Sequence, residues 1–163
     1  MSLSTQAAEL AALLAKMPGM AWRAEDGAGC KQVLMTRPGS AWRWAELGYT
    51  PGIIDEATDL ANARFIAGLL TDVPALFAHL GYGTDTIAPA KLSGHQLTAI
   101  RARHAAASPG PWTIASHKGS SELDLVSSRD GAIFSVGSDS RPIAQFIVLA
   151  HEVVPGLLAG IGA

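Results

Sequence analysis

Cations and an aromatic ring gather at one place in this chain. Arg101, Arg103 and His104 fall within one helical turn, and Trp112 follows after the break Ser108-Pro109-Gly110-Pro111. Side chains three apart share a helix face, so Arg101 and His104 point the same way and Arg103 adds a donor near the helix end. Such a group can hold a small anion. The same residues also fit a structural role, because cations at a helix C-terminus complement its dipole and bond its last carbonyls. Trp42 and Trp44, in Ala41-Trp-Arg-Trp-Ala-Glu46, share a face if that segment is a strand. They can then stack a flat ligand or cover the core. Arg101, Arg103, His104, Trp112, Trp42 and Trp44 are therefore the candidate binding residues.

No catalytic residue, metal ligand or cofactor follows from the remaining motifs. Gly-x-Ser-x-Gly does not occur, and neither Gly27-Ala-Gly29 nor Gly81-Tyr-Gly83 precedes a helix in a phosphate-cradling pattern. The single cysteine, Cys30, has no partner for a disulfide or a Cys/His metal site. A net charge of −2, with −2 in residues 1–82 and 0 in 83–163, offers no basic footprint for nucleic acid. Glu9 and Lys16 interrupt the N-terminal apolar run, and no stretch approaches the ~20 apolar residues of a membrane span. A cytoplasmic protein that binds neither membrane nor nucleic acid is expected. The charged share of 16% and mean hydropathy of +0.23 point to a sticky surface, which a homodimer would cover.

The elements that must position these residues come from a repeat. Ala63–Leu80 returns as Ala144–Ile161 with seven identities in 18 positions: Ala63/Ala144, Phe65/Phe146, Ile66/Ile147, Val73/Val154, Pro74/Pro155, Leu76/Leu157 and Ala78/Ala159. Phe65, Ile66, Leu69 and Leu70 form one apolar stripe at helical spacing, and Leu76, Phe77 and Leu80 the next. Proline inside a helix removes a donor and clashes with the preceding turn, so each copy is expected to be two short helices with a bend. Asp72 is then placed to cap the second helix. Each copy closes a unit that reads helix, Pro-Gly break, Trp-led strand, two more strands, helix, bend, helix.

In chain order, a helix over 4–17 capped by Ser4 is followed by extended segments at 20–25, 31–36 and 41–46 and a loop over 48–52. Residues 83–93 form a linker. Ser93 and Gln96 have capping-box spacing and open a helix to about Ala107, before strands at 112–116, 122–127 and 131–136. Gly110 is expected to take a positive φ between its prolines. Trp112 should pack on the Phe146 helix and Trp22 on the Phe65 helix. The whole is an α+β fold of two pseudo-symmetric α-β-β-β-α-α units, 1–82 and 94–163, with antiparallel meanders packed on helices around one shared core.

The segment "RARHAAASPGPW" (101–112), followed by a short meander and a helix of the "FIA…DVPALL" type, resembles a class of small bacteriophage and prophage proteins without assigned activity. The resemblance is best over 97–163 and implies a phage accessory protein, but no reaction. The leading expectation is a nonenzymatic module that binds a protein partner through an apolar surface. The alternative is a protein that binds or sequesters a nucleotide or metabolite between the units, near Trp42, Trp44, Arg103 and Trp112. An enzyme ranks last.

Overall fold

The computed structural model describes residues 1–17, 20–26, 30–36, 45–52, 55–82, 91–116 and 119–162. Among them the order is α1 (Leu3–Leu14), β1 (Ala21–Asp26), β2 (Lys31–Thr36), β3 (Ala45–Tyr49), α2 (Glu56–Leu80), α3 (Gly94–Ala106), β4 (Trp112–Ser116), β5 (Glu122–Ser127), β6 (Gly131–Gly137) and α4 (Arg141–Ile161). The fold is α+β. One antiparallel six-stranded sheet runs β1-β2-β3-β6-β5-β4. Side chains alternate across each strand. Trp22, Val33, Met35, Trp112, Leu123 and Leu125 are buried beneath the helices, while Arg23, Gln32, Thr113 and Glu122 stand on the opposite, polar face.

Helix ends follow local chemistry. Ser2 caps α1 by accepting from the Thr5 amide at 3.3 Å, so α1 begins before the expected Ser4 and stops at Leu14. Asp55 caps α2, accepting from the Thr58 amide at 2.9 Å and its hydroxyl at 2.7 Å. Those two bonds hold the Asp55 carboxyl below its usual pKa. The capping box of α3 forms as expected, with Gln96 N to Ser93 Oγ at 3.2 Å and Ser93 N to Gln96 Oε1 at 2.8 Å. At the end of α2, Gly81 takes φ 75°, the left-handed cap that residues with a Cβ avoid.

Both proline-containing repeats correct the expected bend between two helices: α2 and α4 each run unbroken, through Pro74 and Pro155. An interior proline costs about 3 kcal/mol. Around Pro74, Leu69, Val73, Leu76 and Phe77 are buried, and each contributes about 1.5–3 kcal/mol, so packing outweighs the lost bond. Each half of the chain is therefore α-β-β-β-α, with one fewer helix than the sequence implied. By length and composition alone, α2 and α4 are also apolar enough to cross a membrane, against the expectation that no stretch would be. Their apolar residues here form the core.

The ring contacts bring a second difference: besides the expected packing of Trp112 on α4, through His151, and of β1 on α2, they also cross between the halves. Trp22 meets Phe146 edge-on at 6.0 Å, and Trp112 meets Phe65 at 5.5 Å and 85°. The helices cross in the same sense: α1 lies against α4, and α3 lies against α2. Among the described residues, one core of 32 buried apolar residues is the result. Leu47 and Val136 are part of it, at the seam where β3 meets β6.

That seam explains a third difference. Gly48 and Tyr49, expected in a loop, are strand residues that pair with Val136 and Ser135. A Cβ on Gly48 would collide with the Ser135 carbonyl oxygen and the Phe134 ring, so glycine lets the two half-sheets close. Tyr49 then reaches across the seam to donate to Glu122 Oε2 at 2.8 Å. The expected strand carrying Trp42 and Trp44 and most of the linker lie outside the described residues. Gly48→Ala should destabilise the fold by about 1–3 kcal/mol or more, the cost of overpacking. Urea denaturation checks this, and an unchanged midpoint would mean that β3 and β6 do not meet at Gly48.

Candidate functional site

Of the six candidate residues, His104 and Trp112 come together around Phe65 and His151 where α2, α3, α4 and β4 meet, while Arg103 reaches Asp72 on α2 and Arg101 reaches the end of α4. Trp42 and Trp44 lie outside the described residues. The group forms because α3 ends at Ala106 and the chain turns through Ser108–Pro111, including a cis Gly110–Pro111 bond, into β4. Trp112 is 4% exposed, and its Nε1 donates to the Ser108 carbonyl at 2.9 Å.

Each cation has a partner inside the fold. Arg103 makes a two-pronged bond to Asp72, Nη2 to Oδ1 at 2.7 Å and Nε to Oδ2 at 3.1 Å. This planar fork is the strong form of an ion pair. Asp72 thus serves as the counter-ion of α3 and not as the cap of a second helix. Gly68 makes room, since a Cβ there would stand 3.0 Å from Asp72 Oδ2 and 3.1 Å from Arg103 Nε. Arg101 Nη2 donates to the Gly162 carbonyl at 2.8 Å, tying α3 to the end of α4.

His104 answers a need created by a proline one helix away. Pro155 lies four residues after His151 and has no N–H to give the His151 carbonyl. His104 Nε2 donates to that oxygen instead, at 3.1 Å. The two imidazoles lie 5.0 Å apart. His151 stacks on Trp112 at 4.0 Å and 15°, and its Nε2 donates to the Ser108 carbonyl at 3.1 Å. Burial first, and the neighbouring His104 second, lower its pKa from 6.5 to about 4. The ring is neutral at pH 7.

Asn62 of α2 closes the junction by a reciprocal pair with Ser108, Nδ2 to Oγ at 2.9 Å and Oδ1 from the Ser108 amide at 2.7 Å. Phe65 lies at the centre, edge-on to Trp112, His104 and His151 at 5.5–5.6 Å. Gly110 has no positive φ, contrary to expectation. Its need is for space, because a Cβ would lie 2.9 Å from His151 Cε1.

The sequence therefore points to the cations and the tryptophan but not to Asp72 and His151 as their partners, nor to Asn62, which binds the neighbouring Ser108. One signal was present: a proline inside a helix frees the carbonyl four residues earlier, and a donor must be found for it. Elsewhere in α2, Asp59 is 5% exposed and its Oδ1 has no hydrogen-bond partner; burial raises its pKa. Among the described residues no group of three or more His, Cys, Asp or Glu is arranged to hold a metal. Comparison with family models, with curated proteins and with solved structures finds no match.

Two predictions follow from the junction. His104→Ala should cost about 1–3 kcal/mol by leaving the His151 carbonyl unpaired, and about 0.5 kcal/mol or more of coupling should appear with Pro155→Ala, which restores the helical donor. Strict additivity in the double-mutant cycle would sink the donor-replacement account. The second concerns pH. A histidine whose folded pKa lies below its unfolded value stabilises the fold above pH 6.5, and this contribution is lost as pH falls toward 4. Wild type should lose up to about 3 kcal/mol over that window from this residue. His151→Leu should show a correspondingly flatter profile in denaturation midpoints, and parallel profiles would refute the assignment.

Proposed function

We propose that this chain is a nonenzymatic interaction module of the phage or prophage accessory type that residues 101–112 resemble, acting in the cytoplasm by binding a protein partner. The observation that carries the reading is an open, largely apolar groove of about 380 Å3 between α2 and α3. Its lining is Ala57, Leu60, Ala61, Ala102 and Ala106, with Arg64 and Arg103 beside them. Alanines on both helices leave a shallow trough suited to the apolar face of a partner helix. Arg103 is held by Asp72, whereas Arg64 is exposed and, among the described residues, has no ion-pair partner. An acidic residue beside the partner's apolar face would complement it.

A surface poor in fully exposed large apolar side chains supports binding through grooves. Among the described residues Met1 is the one large hydrophobic side chain that is fully exposed, and the grooves are lined by alanines and partly buried larger residues such as Leu60. The internal pairing of Arg101, Arg103 and His104 supports a structural role for the polar junction over anion capture.

A tandem duplication belongs to the same reading, with units 1–82 and 94–163 related by a pseudo-twofold axis. Three observations support it: both halves run α-β-β-β-α, the sheet order reads alike from either edge, and Phe65 and Phe146 are both buried.

The test uses one surface variant and one ligand screen. Ala102→Glu places a charge in the groove at an exposed helical position and should change stability by no more than about 0.5 kcal/mol. It should abolish a partner complex formed by wild type, measured by co-purification and titration, while a nucleotide and metabolite panel leaves the melting temperature unchanged. If a panel member stabilises the protein by about 2.7 kcal/mol at 100 times its dissociation constant, the small-molecule reading replaces this one.

A further inference from the structure

The two edges of the sheet differ in chemistry. β1 is guarded: Arg23 pairs with Glu25 at 3.0 Å, and Asp26 pairs with Lys31 of β2. Charges of this kind deter a foreign strand. β4 at the opposite edge reads Trp-Thr-Ile-Ala-Ser, with no charge and no proline, and Thr113, Ala115 and Ser116 are exposed. Its five residues all pair with β5 on one side, and among the described residues no strand pairs with the other.

We propose that the free edge of β4 pairs antiparallel with β4 of a second copy of this chain, forming a two-fold dimer centred on Ile114. An antiparallel pair of identical strands is isologous, so each unpaired N–H and C=O finds its complement in the twin. The centred register sets Ile114 against Ile114 and Thr113 against Ala115, and it keeps both helical layers on one side of a continuous sheet. Five residues of strand pairing alone bury too little for a stable interface, which needs roughly 1,000 Å2 or more in total. The remainder comes from the helical side. Beside Ile114 lies an open groove of about 440 Å3 between α1 and α4, where Leu149 is flanked by Glu9, Glu152 and Lys16. Two-fold symmetry brings this groove to its own copy, and both charge signs are present, so Lys16 of each chain can face an acid of the other. That self-complementarity selects a second copy over an unrelated strand. The surface is separate from the α2/α3 groove and needs no outside partner, so either reading can fail alone.

Sedimentation velocity of the full chain from about 1 to about 100 μM brackets a micromolar dissociation constant and should show a monomer–dimer equilibrium. The double variant Thr113→Lys/Ala115→Lys sets lysines opposite each other and should weaken the dimer at least about tenfold. Mixing it with Thr113→Glu/Ala115→Glu should restore a mixed dimer. Amide exchange in wild type should slow across β4 as concentration rises, which tests the same contact without a substitution. A wild type that stays monomeric at 100 μM, a lysine variant that dimerises unchanged, or β4 amides insensitive to concentration would each overturn the proposal.

Discussion

Phe65 is met edge-on by three rings that come from three other elements: Trp112 from β4, His104 from α3 and His151 from α4. Edge-to-face packing places the positive rim of one ring against the negative face of another, and each such pair adds about 0.5–1.5 kcal/mol beyond area burial. Around that centre several polar groups are paired in fixed directions. Ser108 makes this concrete, since its carbonyl accepts from Trp112 and His151 while its amide and hydroxyl engage Asn62. The position of α3 on α2 and the entry angle of β4 thus follow from one side chain and its surroundings.

The same junction shows how a local defect is absorbed by tertiary structure. A proline in α4 leaves a carbonyl without its helical donor, and in a buried setting that oxygen would cost free energy. A histidine from α3 supplies the bond, beside the packing that holds α4 whole. Docking of α3 thus also satisfies a carbonyl of α4.

Much of the second half was legible in the sequence, and the reason is that its signals are local. Strands at 112–116, 122–127 and 131–136 match β4, β5 and β6 to within a residue, because alternation and turn residues lie within the segments themselves. The Ser93–Gln96 box is equally self-contained. Gly48 looked like a loop residue because the reason for a glycine there is the Phe134 ring and the Ser135 carbonyl, far away in sequence. Helices through Pro74 and Pro155 were misread for the same cause: the burial that holds them is tertiary. At the site, Arg101, Arg103, His104 and Trp112 were found by helical spacing and proximity in sequence. Asp72 and His151, which bind Arg103 and His104, and Asn62, which binds Ser108, lie 31 to 47 residues from the groups they bind, and no spacing rule links them.

The crossing of ring contacts also bears on how the chain acquires its shape during synthesis. Phe65 leaves the ribosome well before any of its ring partners, and the last of these, His151, follows 86 residues later. At ordinary elongation rates of about 5–20 residues per second, that interval is roughly 4–17 s. His104 and Trp112 emerge 39 and 47 residues after Phe65, so the ring first gains native partners midway through that interval, and Trp22 likewise awaits Phe146. Within the first half α2 can rest on β1 and β2, but its ring contacts and its packing on α3 and α4 wait for the second half to arrive.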